Sequence, residues 1–338
     1  MTDLHLSTFV AGIYAAGLDK HLKHTASTTL FAPINTAFDS LGAVWSCLLL
    51  PSSLQDLRAF IRYHFLNEVA YLSDLKGERS RYHTVEGSDL TVQKNHGNLT
   101  LSGPTVSGYP VSGQITAINV TSGDSLTATG VLHVIDSVML PPTVYISNRK
   151  LLQGVKAETM ASLIKLANMS SWLLDGEDPP TSFTKARSAI ETSYTLLVPS
   201  DRAFNHVNLT YYEHNLPALK ELIKLHIIPQ DAQQRLKDSA FDMRGHPLSL
   251  SDGLQMDTLL SKREGGTSRY GSLAFRKMGD SFLVGIKDAR GTSESNFAHI
   301  VGFGKATPRL KVDTQMLKRR GKKSLVINGG GILAVSSF

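Results

Sequence analysis

The sequence predicts an α+β fold made of two tandem copies of one module, each a β-sheet wedge or sandwich flanked by helices. Three observations carry that prediction. Residues 29–38 read TLFAPINTAF and residues 195–204 read TLLVPSDRAF, so Thr, Leu, Pro, Ala and Phe recur at matching places. Further on, LRAFIRYHFL at 57–66 lines up with LKELIKLHII at 219–228. Beyond each of these helical stretches the pattern turns to strand, and the order of pieces is kept, which marks a duplication. A chain of 338 residues suits about two domains at ~150 residues each.

A helix is expected near His5–Ala16, with Gly17 as its stop. Thr29 to Ala32 reads as a short apolar strand, and Pro33 ends it by removing a ladder donor. Asn35, matched by Asp201 in the second copy, is expected to cap the helix that follows. Phe38 and Phe204 fall in its first turn, placed to pack back on the strand that Thr195 and Pro199 repeat. Ser53 is then expected to cap an amphipathic helix carrying Leu54, Leu57, Ile61, His64 and Phe65 on one face. Leu219, Leu222, Ile223, His226 and Ile227 repeat that spacing, and Pro229 ends it. A histidine therefore stands on the apolar face of both copies. It reads as a core residue tying a ring nitrogen to a backbone carbonyl, set against a ligand-contacting role.

Residues 89–101 alternate around Asn-His-Gly-Asn and read as a hairpin. Strands continue at 113–120 and 130–140, the latter GVLHVIDSVML followed by Pro141 and Pro142. In that stretch Leu132, Val134, Val138 and Leu140 share one face with Asp136 among them, and a carboxylate so placed reads as a structural clamp. The second copy offers a helix near Ala157–Asn168, an inserted loop from Asp175 to Ser193, and strands around 254–260, 271–277 and 281–287. It ends in GGGILAVSSF. These features divide the chain into a first domain at 1–142, a short linker at 143–152, and a diverged second domain with insertions at 153–338.

The strand-turn-helix Thr29 to Phe38, the pair Tyr63-His64, and Gly130 to Pro141 with His133 and Asp136 together resemble the fasciclin (FAS1) domain. The resemblance covers nearly all of 1–142. The second copy keeps the first motif, reads Leu225-His226 at the Tyr-His site, and has its closing strand expected at Gly331–Phe338, with Ala334 and Ser337 in the places of His133 and Asp136. The long Gly-rich and basic insertion looks most like fungal multi-fasciclin proteins. What the resemblance implies is an extracellular or cell-surface module, within reach of the vacuolar and secretory pathway, that acts in cell adhesion and matrix contact. The partner would be an extracellular protein or glycan, and Tyr63 and His64 the candidate contacts.

No nucleophile elbow, zinc motif or phosphate loop occurs, so neither catalysis, a cofactor nor a metal site is expected. No leader segment is visible, and no apolar run long enough to span a bilayer. Asn98, Asn119, Asn168 and Asn208 head N-x-S/T triplets and are glycosylation candidates. The single cysteine, Cys47, lies among apolar residues and reads as a buried thiol. Residues 151–338 carry 25 Lys and Arg against 18 Asp and Glu. Within them KRRGKK, holding Lys318, Arg319, Arg320, Lys322 and Lys323, is backed by Lys305, Arg309 and Lys311. That segment offers an alternative function as a binder of acidic polysaccharide or another anionic surface. Nucleic acid is disfavoured, because no aromatics interleave with the cations.

Overall fold

The computed structural model describes residues 5–20, 27–74, 80–95, 98–103, 105–106, 109–110, 118–177, 193–230, 253–263, 266–267, 272–279, 281–287, 297–307, 309–312, 325–328 and 330–335. The chain forms two compact units that divide after Tyr145. The expected linker at 143–152 runs into the helix Asn148–Gly154, which buries Leu151 and Leu152 and whose first turn is capped by Ser147, accepting from Lys150 N at 3.3 Å. The inserted loop expected at 175–193 falls mostly outside the described residues.

In the first unit the helix Ser7–Ala15 precedes β1 (Thr28–Pro33), a 3₁₀ turn (Asn35–Leu41) and helices Ala43–Leu48 and Leu54–Tyr63. The strands that follow are β2 (Phe65–Leu66), β3 (Ser80–His83), β4 (Asp89–Asn95), β5 (Asn98–Ser102), the small pair β6 (Thr105–Val106) and β7 (Tyr109–Pro110), β8 (Ile118–Thr127) and β9 (Gly130–Ile135). Seven of them form one sheet in the order β2-β1-β9-β8-β5-β4-β3. Among its described residues only β1 and β9 pair in parallel. All six residues of β1 are buried, as expected for a strand covered on both faces.

The wedge comes from β8. Its first residues, Ile118 and Asn119, pair with β5, and the stretch from Val120 to Thr127 pairs with β9. Register breaks between Val120 and Ser122 and between Ser122 and Ser125 bend the strand as it passes from one arm to the other. One buried cluster unites Phe31, Leu90, Leu101, Ile118, Ile135 and Met139, drawn from both arms.

The second unit repeats this plan. After helices Glu158–Leu166 and Ser170–Leu173 come β10 (Ser193–Pro199), a 3₁₀ turn (Asp201–His206), helices Leu209–His214 and Leu216–Leu225, and β11 (Ile227–Gln230). Then follow β12 (Gln255–Asp257), the pair β13 (Lys262–Arg263) and β14 (Gly266–Thr267), β15 (Ser272–Met278), β16 (Ser281–Ile286), β17 (Phe297–Lys305), the pair β18 (Arg309–Val312) and β19 (Leu325–Asn328), and β20 (Gly330–Val335). The main sheet runs β11-β10-β20-β17-β16-β15-β12, with β10 and β20 parallel and β17 bulged near Ile300, as β8 is in the first unit. Pro33 and Pro199 thus close topologically equivalent strands, opposite Ile135 and Val335.

This register corrects one expectation. Phe31 lies opposite His133, and its counterpart Leu197 lies opposite Leu333, so Leu333 and not Ala334 takes the place of His133. A one-residue slip in a strand exchanges its two faces. A second correction concerns 130–140: the strand stops at Ile135, and Val138, Met139 and Leu140 are buried in a non-strand segment.

Candidate functional site

Tyr63 and His64 stand where the helix Leu54–Tyr63 turns into β2. Neither Asn35 nor Asp201 caps its own helix. The segment after each is a 3₁₀ turn with an extended residue, Ile34 or Ser200, in the capping place and no side-chain cap. Asn35 instead accepts from Thr8 N at 2.9 Å and donates to Ser7 Oγ at 3.0 Å. Asp201 accepts from Thr159 N at 2.9 Å and Glu158 N at 3.4 Å. Each therefore caps an earlier helix of its own unit, Ser7–Ala15 or Glu158–Leu166, satisfying amides that have no intrahelical partner. Those helices end alike, at Gly17 and Asn168, both with positive φ (66° and 58°). Ser53 occupies the expected capping place of its helix but makes no capping bond.

Thr29 makes a side-chain bridge. Its hydroxyl donates to Glu68 O at 2.7 Å and accepts from Ala70 N at 2.8 Å, fixing the loop that follows β2 to the central strand. Phe38 packs edge-on against Trp45 with ring centroids 4.7 Å apart, and Phe204 is also buried.

Tyr63 is 1% exposed and His64 0%. The Tyr63 hydroxyl reaches Asp89 O at 3.3 Å, and burial, with Glu86 and Asp89 nearby, pushes its pKa up. His64 Nδ1 faces Phe60 O at 2.9 Å, and Nε2 accepts from Met139 N at 3.2 Å. Phe9 and Phe60 pack on its ring, and burial lowers its pKa to about 4. His226 repeats the first bond, from Nδ1 to Leu222 O at 2.8 Å, and burial likewise holds it below the usual histidine value. In both units the histidine follows the last helical residue and takes up a carbonyl that the helix leaves unpaired. Its own carbonyl accepts from the strand, from Phe31 N in the first unit and Leu197 N in the second. As folded, Tyr63 and His64 present almost no surface to a partner.

His133 is buried too, its Nε2 2.8 Å from Ala70 O and its Nδ1 accepting from Asp124 N at 3.2 Å. Burial lowers its pKa, against the opposing pull of the Ala70 carbonyl and Asp124. Asp136 accepts from Asn119 N at 3.1 Å and Asn119 Nδ2 at 2.8 Å, while its own amide donates to Asn119 O at 3.1 Å. That places the clamp between β8 and the end of β9. It also engages the amide of one glycosylation candidate. Asn168 is exposed at its helix end, and Asn208 is exposed with Oδ1 accepting from Tyr211 N at 3.1 Å. Asn98 lies in β5, its side chain outside the described residues, as is the whole basic segment 318–323.

The Fasciclin domain profile matches residues 4–141 and again 156–262. The chain belongs to the fasciclin-domain family. Among curated fasciclin relatives, mouse stabilin-1 is 31% identical over 38% of this chain and 5% of its own length. Protein sll1483 of Synechocystis is 34% identical over 40% of this chain and 67% of its own length. Human periostin is 25% identical over 66% of this chain, a match spanning 22% of periostin. The chain thus spans a small part of the long animal relatives. A solved FAS1 domain pair from the insect cell adhesion molecule fasciclin I aligns over 99% of this chain and 96% of its own, with a TM-score of 0.35 and 13% identity. Among the described residues no group of three or more His, Cys, Asp or Glu is placed to hold a metal, and no helix is long and apolar enough to cross a membrane.

The Thr29 bridge and the Met139 contact were missed from sequence. Thr recurring at 29 and 195 is the one signal for the bridge, and none exists for the Met139 contact, since backbone partners leave no trace in composition.

Proposed function

We propose that the chain is a non-catalytic extracellular module for cell adhesion or matrix contact, with a protein or glycan partner. The observation that carries this reading is the fasciclin module laid down twice, since the family's members act in adhesion at or outside the cell surface. Burial of Tyr63 and His64 directs the contact to other, exposed residues of the folded module. The test is attachment of cells to a surface coated with the full chain, competed by soluble chain. Attachment no greater than to a blocked surface removes the reading.

A second reading is favoured by the charge excess of residues 151–338 and by Lys318, Arg319, Arg320, Lys322 and Lys323, which supply charge-assisted donors for acidic glycans. Salt-graded elution from immobilised heparin, with and without alanines at those five positions, tests it. Identical elution excludes it.

A further inference from the structure

The adhesion reading makes no use of the way His64 is held. A carbonyl only accepts and an amide N–H only donates, so its contacts to Phe60 O and Met139 N fix one neutral tautomer, Nδ1–H with a bare Nε2. His133 is fixed in the opposite tautomer by Ala70 O and Asp124 N. Met139 belongs to a segment, Asp136 to Tyr145, that crosses the wedge after β9 and buries Val138, Met139, Leu140 and Val144. The Asp136–Asn119 clamp holds one end of this segment, and a bond from Thr143 Oγ1 to Glu86 holds it near the other. Between these anchors the His64 ring takes the Met139 N–H.

We propose that Asp136–Tyr145 is an acid-released strap, held over the Tyr63–His64 corner by the neutral His64 ring and expelled when that ring takes up a proton. A protonated Nε2–H meets the Met139 N–H donor to donor at a separation of 3.2 Å. The ring has no easy escape, because Nδ1 is tied to Phe60 O and the Phe9 and Phe60 rings stand 5.2 and 4.9 Å from it. Among the described residues no counter-charge relieves it. The groups facing the ring from the first helix, its own helix and the strap are Phe9, Phe60 and Met139, and its neighbours in β1 and β2 are Phe31 and Phe65. Burial and the Phe60 carbonyl set its protonation, while Asp124 acts on His133. Release bares the Tyr63–His64 pair that the closed form hides.

The size follows from linkage. With a pKa of about 4 under the strap and about 6.5 once free, the closing equilibrium weakens ~60-fold between pH ~7 and pH ~4.5. Glu86 and Asp136, which anchor the strap, are also titratable, so the test isolates the ring. The full chain is labelled with ¹³C at the methionine methyls, and the Met139 signal is identified by Met139→Leu. On lowering the pH from 7 to 4.5, the Met139 methyl is expected to move to a solvent-exposed position, while the Met160 signal and the far-ultraviolet ellipticity stay unchanged. In His64→Gln, whose Oε1 accepts from Met139 N–H at any pH, it is expected to stay put. A Met139 signal that does not move, or that moves equally in both proteins, overturns the proposal. Should His64→Gln not fold, the wild type decides. Movement with ellipticity retained supports the strap, and movement only as ellipticity collapses refutes it. This outcome is independent of the adhesion reading.

Discussion

Asn35 and Asp201 give a sharp test of how the two units are built, because each serves a helix far from it in sequence. Asn35→Ala removes the acceptor of Thr8 N and the donor to Ser7 Oγ. The freed amide belongs to a half-buried residue that water still reaches, so the expected loss is that of an ordinary cap, about 1 kcal/mol. Asp201→Ala removes acceptors from both Thr159 N and Glu158 N, and also a charge facing the positive end of the helix. That adds about 0.3–1 kcal/mol, for a total of about 1.3–2 kcal/mol. In units of this size each kcal/mol lowers Tm by about 2–4 °C. Calorimetry gives the size of the effect, and hydrogen exchange gives its place. Protection is expected to fall in Ser7–Ala15 for the first variant and in Glu158–Leu166 for the second. Loss confined to Asn35–Leu41 or Asp201–His206 would refute the cross-helix assignment.

Gly130→Ala is expected to be severe, since the new Cβ would stand 1.8 Å from Thr28 O, with φ at 156°. Relief requires parting the parallel β1–β9 pair, and a loss of at least about 3 kcal/mol should appear in urea unfolding. His64→Ala leaves Phe60 O and Met139 N without the ring and opens a cavity, so a loss of at least about 2 kcal/mol is expected by the same measure. Stability should also depend on pH. Because folding lowers the His64 pKa to about 4, its contribution is complete above the unfolded value of 6.5 and is lost as pH falls from there toward 4, about 3 kcal/mol in all. A thermal midpoint that is flat from pH 6.5 to 4, or that rises on acidification, would contradict that sign.

Much of this fold was legible because its signals are local. The TLFAP strand is apolar throughout and closed by proline, so it appears in each copy where the pattern places it. The LRAFIRYHFL helix also appears in each copy but stops sooner than expected, at Tyr63 and Leu225: Phe65–Leu66 and Ile227–Gln230 are strands, and Pro229 lies within the second instead of ending the helix. Register was harder. Three glycines at 329–331 carry no side-chain alternation, so nothing in the residues says which of them faces Tyr194, and the closing strand was read one place off. The role of Asn35 and Asp201 was misplaced for a related reason. A capping residue announces that some helix begins nearby in space, and sequence alone favours the helix that follows it. Burial of the Tyr63–His64 pair depends on Met139, which lies 75 residues away from His64.

The parallel pairing of the first and last strands of each unit has a consequence for synthesis. As the chain leaves the ribosome, β1 waits roughly a hundred residues for its central partner β9, and β10 waits longer for β20. Until then each strand is an open apolar edge. A fragment cut before Gly130 would keep the helices and the β3–β5 meander yet lose the neighbour that closes the middle of the sheet, so an aggregating product is the expected fate of any early stop.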